Sequence, residues 1–127
     1  MPLVRISLRA GKSEQYRRAL GEGVHQAMVE SLDAPAQDRF QVIGEHSPND
    51  LIYDPNYLGI DRSDDVVFVQ ITLSAGRKPG QKKKLYQRIV ELLGNNPGVR
   101  PQDVLINLVE TAWENWSFGN GDAPYTK

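Results

Sequence analysis

Val4-Arg5-Ile6-Ser7-Leu8-Arg9-Ala10-Gly11-Lys12, near the start of the chain, returns without a gap as Val69-Gln70-Ile71-Thr72-Leu73-Ser74-Ala75-Gly76-Arg77. Apolar residues hold the same alternate positions, Ala-Gly follows in both stretches, and a cation closes each. The offset of 65 persists downstream, where Leu20 meets Leu85, Val24 meets Ile89, Met28 meets Leu93, Gln37-Asp38 meets Gln102-Asp103 and Glu45 meets Glu110. One offset held over about 40 residues marks two copies of a single supersecondary unit. The copies occupy 2–46 and 67–110 of one domain running over 1–127.

Each copy reads strand, helix, strand. Val4, Ile6 and Leu8 alternate with Arg5 and Ser7, and Val67, Val69, Ile71 and Leu73 repeat that period of two. Tyr16, Leu20, Val24, Ala27 and Met28 then recur at helical spacing. The second helix carries Leu85, Ile89 and Leu92-Leu93 on one face and stops at Gly94-Asn95-Asn96-Pro97-Gly98. Returning strands fall over 40–43 and 104–109. A strand reached through a helix lies parallel to the first, with a right-handed crossover. The expected fold is therefore α/β: tandem β-α-β units forming a four-stranded mixed sheet with two helices on one face.

Two features remain outside that unit. Residues 47–65 hold turn clusters around Leu51-Ile52-Tyr53 and Tyr57-Leu58, read as a small excursion hairpin. The tail around Trp113 and Trp116 has no periodicity. With the second sheet face uncovered within the chain, its aromatics point to contact with another subunit or a ligand, and a homo-oligomer is expected.

The 127 residues carry no cysteine, 24% charged residues and a net charge of -1. Disulfides, thiolate metal sites and a cysteine nucleophile are excluded. The balanced charge gives no electrostatic reason to expect nucleic acid or an anionic membrane as partner. No apolar run approaches the roughly 20 residues of a membrane span. Met1-Pro2-Leu3-Val4-Arg5 lacks the layout of a signal peptide, so a cytoplasmic setting is expected.

If the first strands of the two units pair antiparallel, Pro2, Asp38 and Arg77 converge at one end of the sheet. The other end would bring together Val67, Asp103 and Lys12, without an amine. Each residue also has a plainer role: Asp38 as a turn residue that Asp103 repeats, Arg77 as a solvated charge. Removal of Met1 would expose a secondary amine on the Pro2 ring, able to act as a base, a proton donor or an iminium-forming nucleophile. His25 and His46 have no ligand-spaced partner and read as core or surface residues. Arg77-Lys78, Lys82-Lys83-Lys84 and Arg88 read as a solvated helix face.

Pro2, the duplicated unit, Ala75-Gly76-Arg77 and Trp116-Ser117-Phe118-Gly119 together resemble the tautomerase superfamily, within it the malonate semialdehyde decarboxylase-like group. The likeness includes His25-Gln26-Ala27-Met28-Val29-Glu30, Asp38-Arg39-Phe40-Gln41-Val42-Ile43 and Asn107-Leu108-Val109-Glu110. It implies a homotrimer without metal or cofactor, acting on a small oxo acid. Pro2 would polarise or condense with the carbonyl, Asp38 would support its protonated state, and Arg77 would hold the substrate carboxylate. Trp116, Phe118 and Phe40 would form an aromatic wall around the substrate. The family's pattern has two arginines before the second helix, where this chain has Ser74-Ala75-Gly76-Arg77. The carboxylate clamp is then Arg77 alone, or Arg77 supplemented by Lys78 or Arg39. The implied activity is malonate semialdehyde-type decarboxylation. The alternatives are keto-enol tautomerisation of a 2-oxo acid and a non-catalytic trimeric binding module.

Overall fold

Val4, Ile6 and Leu8 lie on one side of the first strand and are all but inaccessible. Val67, Val69, Ile71 and Leu73 do the same on its neighbour. The chain is described over residues 2–126 in a computed structural model. It forms β1 (Leu3–Arg9), α1 (Glu14–Leu32), β2 (Gln41–His46), β3 (Val67–Ser74), α2 (Pro79–Asn95) and β4 (Val104–Thr111). The ends of the two copies match the offset: Arg9 and Ser74 close the first strands, His46 and Thr111 the second.

The sheet order is β2-β1-β3-β4. The outer pairs are parallel and the central pair, β1 with β3, is antiparallel. Even the junctions repeat: Ala10 N–H donates to His46 O at 2.8 Å and Ala75 N–H to Thr111 O at 2.9 Å. Leu20, Val24 and Met28 of α1, with Leu85, Ile89 and Leu93 of α2, pack the inward strand residues into one core. Removing such side chains from water supplies the main drive for folding.

Local chemistry starts the helices. Ser13 caps α1 by accepting the Tyr16 N–H at 3.1 Å, and Pro79 opens α2, where its missing N–H costs nothing. At the far end of α2, Leu93 O accepts from both Gly98 and Val99 N–H, and Gly98 takes φ +105, a value a side chain would resist.

The second sheet face stays uncovered. Val42, Leu105 and Val109 are 48%, 44% and 39% exposed there, alongside a Gln70–Asn107 side-chain hydrogen bond.

The excursion is not a hairpin. No strand forms over 47–65, and its one regular element is a single 3₁₀ turn, Tyr57–Gly59. Arginines gather the backbone carbonyls that a ladder would have used. Arg62 donates to Asp54, Tyr57 and Ile60 O, Arg9 to Leu51 O and Arg100 to Asp61 O.

Candidate active site

Leu3 stands opposite Thr72 in the β1–β3 register, so the next step outward sets Pro2 against Leu73, one residue from the end of β3. Pro2 is buried. Proline has no amide hydrogen to give a ladder, which suits it to a position before the strand begins. Beyond Ser74 the backbone turns through Gly76 at φ +129. That turn folds Arg77 back, and its Nη1 donates to Ser74 O at 2.9 Å. The guanidinium is thereby held at the end of β3 that adjoins Pro2, using one of its five donors.

Asp38 lies three residues before β2, whose partner is β1, and so approaches the same end. Its loop is tied on both sides. Asp38 N–H closes a turn on Pro35 O at 3.0 Å. His25 of α1 bonds Ala36 O through Nε2 at 2.9 Å, which requires a proton on that nitrogen. Arg39 pairs with Glu22 at 3.2 Å and donates through Nε to Gln41 Oε1 at 3.1 Å. Gln41 in turn donates to Gly21 O at 2.8 Å. Three side-chain ties to α1 thus set the loop carrying Asp38 and Phe40. They also engage Arg39, one of the two cations considered as a supplement to Arg77; the other, Lys78, is an exposed residue at the start of α2.

The tail folds back on its own chain. Trp116 and Phe118 stack at 5.4 Å with planes 8° apart, and Phe118 meets Phe40 at 6.2 Å. Trp116 Nε1 donates to Thr111 Oγ1 at 2.9 Å, fixing the wall to the end of β4. The tryptophan-bearing tail therefore runs across the strand ends of this same chain, from the end of β4 to the residue before β2, although Phe40, Trp113 and Phe118 remain 49%, 45% and 41% exposed. All three aromatics named from sequence come together.

Two residues around the site escaped the sequence reading. Tyr125 sets its ring edge-on to Trp113 at 4.9 Å and to Phe118 at 6.0 Å. Burial first, then the nearby negative charge of Asp38, push its phenol above the ordinary value. A tail without periodicity offers one available signal, the density of aromatics among turn formers. His25 was likewise read as an inert histidine, and its tie to the Asp38 loop follows from packing across 11 residues.

The opposite end of the sheet is closed. Asp103 is 1% exposed and accepts from both Ser63 N–H and Ser63 Oγ at 2.7 Å. Lys12 pairs with Asp65 at 2.7 Å. That hydrogen bond, opposed by partial burial, holds the ammonium pKa above its usual value. Carboxylate and cation are spent on structure there. Among the described residues no group of three or more His, Asp or Glu gathers to hold a metal, and no helix is long and apolar enough to cross a membrane.

A guanidinium, a loop-borne carboxylate, a proline and an aromatic wall at one sheet end can bind and polarise a small carboxylate-bearing carbonyl compound. Comparison with known proteins places the chain in a family. Two sequence-family profiles, both described as tautomerase enzyme, match residues 38–119 and 2–60. The chain is 42% identical to the probable tautomerase YusQ of Bacillus subtilis (strain 168), covering 97% of each chain. Among solved structures it resembles a malonate semialdehyde decarboxylase inhibited by 3-bromopropiolate, with 41% identity and a TM-score of 0.92, covering 97% of this chain and 93% of that one. A fused 4-OT described as a symmetric trimer shares the fold at 21% identity and a TM-score of 0.79, covering 95% of this chain and 94% of that one.

Proposed function

This chain belongs to the tautomerase superfamily, in its malonate semialdehyde decarboxylase-like group, and from that membership we propose a homotrimeric, cytoplasmic enzyme that decarboxylates a malonate semialdehyde-like 3-oxo acid. The observation that carries the reading is Arg77 folded onto Ser74 O at the Pro2 end of the sheet, with the Trp116–Phe118 stack beside it. The decarboxylase it resembles is inhibited by 3-bromopropiolate, itself a small carboxylate. The uncovered sheet face, with Val42, Leu105 and Val109 exposed, supports assembly.

The roles follow from the chemistry of the groups. With Met1 removed (a residue outside the described ones), Pro2 presents a secondary amine. A carboxylate beside an amine favours the ammonium form. Asp38 thus keeps Pro2 protonated, and the ammonium donates to the aldehyde oxygen. Arg77 grips the substrate carboxylate through parallel donors. The bond from the carboxylate carbon to the methylene carbon then breaks, its electron pair enters the carbonyl to form an enolate, and carbon dioxide leaves. Pro2 stabilises the developing oxyanion, and the enolate carbon takes up a proton to give the aldehyde. The aromatic wall of Phe40, Trp116 and Phe118 keeps water away and strengthens each charge interaction.

A neutral Pro2 would instead be a general base shuttling a proton between carbon and oxygen, the tautomerase reading that the name of the Bacillus relative favours. Titrating processed protein labelled with nitrogen-15 at Pro2, with parallel assay of small 3-oxo and enol acids, separates the two. A Pro2 pKa above neutrality with release of carbon dioxide is the expected result. A pKa well below neutrality with enol turnover favours the tautomerase. Turnover of neither substrate class, with a Pro2 amine indifferent to Asp38→Asn, leaves a non-catalytic binding module.

A further inference from the structure

Ser74 is 0% exposed, yet its hydroxyl has no hydrogen-bond partner among the described residues. A hydroxyl taken from water without a partner costs free energy, and a folded chain rarely leaves one so. Ser74 O accepts from Arg77 Nη1, and the residue stands opposite Thr111 in the β3–β4 register. Its neighbours along and across the strands border the candidate site. Thr111 carries the Trp116 indole bond on one side. On the other, the β1–β3 register sets Pro2 against Leu73, the residue just before Ser74.

We propose that the Ser74 hydroxyl is a substrate-binding group, donating to a carboxylate oxygen of the oxo acid whose other oxygen Arg77 holds. The inference rests on the reading of Pro2 and Arg77 given above and adds a second anchor to it. One guanidinium and one hydroxyl at the same strand end fix both oxygens of a carboxylate, where the guanidinium alone would let it swivel about the bond to its carbon. A substrate oxygen gives the unpartnered hydroxyl its acceptor. Arg39 cannot take that place, being engaged with Glu22 and Gln41.

The test compares processed parent, Ser74→Ala, Ser74→Thr and Arg77→Ala. Binding of malonate, an unreactive carboxylate, is measured by calorimetry, and KM and kcat are measured with malonate semialdehyde. Thermal midpoints are recorded throughout. Removing an unpartnered hydroxyl leaves the midpoint unchanged or raised, so a binding defect in Ser74→Ala cannot come from unfolding. The expected result is a malonate Kd and a KM raised about 5- to 10-fold in Ser74→Ala, with a hydroxyl restoring much of both in Ser74→Thr. Unchanged Kd and KM in Ser74→Ala, while Arg77→Ala loses affinity, would overturn the inference. So would a parent that binds no malonate. A parent that binds malonate in a Ser74-dependent way but releases no carbon dioxide upholds the anchor and refutes only the choice of reaction.

Discussion

Arg5 and Gln70 face each other across the antiparallel pair of β1 and β3, and they are also each other's counterparts in the 65-residue repeat. A residue paired with its own repeat image marks where the pseudo-twofold axis crosses the sheet. Every other position is exchanged across that axis: the start of β1 with the start of β3, the Asp38 loop with the Asp103 turn. The two ends of the sheet are therefore one design executed twice, and they differ at the end for which chemistry is proposed.

Asp103 is the structural execution. Asp103→Ala would leave the Ser63 N–H and hydroxyl without their 2.7 Å acceptor and remove one of the two carboxylates beside Arg100. The expected loss is about 2–4 kcal/mol of stability, read from denaturant midpoints. Turnover per folded molecule should stay within about twofold of the parent, because the catalytic end we propose, with Pro2 and Arg77, is the opposite one.

Arg77 belongs to the end for which we propose chemistry. Replacing it by alanine should cost about 2–4 kcal/mol of transition-state stabilisation, roughly 30- to 1000-fold in kcat/KM. Lysine should restore only part, lacking the planar fork. Steady-state kinetics with a carboxylate substrate check this; activity within twofold in Arg77→Ala would make it a surface charge.

Helix contact supplies a third prediction. A Cβ at Gly23 would come within 2.8 Å of Leu93 Cδ2, in a core where Leu93 is wholly buried. Gly23→Ala gains about 1 kcal/mol of helix propensity but overpacks at about 1–3 kcal/mol, so the thermal midpoint should fall. At Gly80, in the first turn of α2, a Cβ meets nothing within 4 Å, and Gly80→Ala should hold the midpoint or raise it.

The Glu30–Arg88 pair links the helices at 2.7 Å. The Arg88 hydrogen bond holds the Glu30 carboxyl below its usual range, against a small opposing effect of desolvation. A carboxyl depressed in the fold stabilises above its unfolded pKa, about 4.3, and loses that contribution as pH falls through its folded value. Acid titration of stability should thus weaken the parent more than Glu30→Gln, the two converging at low pH. Curves that stay parallel from neutral pH downward would show the pair to be inert.

The duplicated unit was legible because it rests on local signals: alternation, helical spacing, a glycine after each first strand. The gathering of Pro2, Asp38 and Arg77 at one end then followed from topology, as did the contrast with Lys12 and Asp103. What escaped depends on contacts distant in sequence. The excursion reads as a hairpin until Arg9, Arg62 and Arg100 are seen collecting its carbonyls. Tyr125 enters the aromatic cluster only once the tail has folded back. His25 looks inert along the helix, and its bond to Ala36 O exists only because the loop returns beneath it.

Arginine-to-carbonyl bonding of the excursion has one more consequence. Every peptide offers the same oxygen whatever side chain it carries, so Arg9, Arg62 and Arg100 grip the path of this segment without reading its spelling. Ile52 and Leu58, 80% and 76% exposed, stand outside that grip and are free to change identity while the trace persists. The excursion is thus a cassette, fastened at its main chain and open at its surface, whose side chains can diverge without disturbing the sheet.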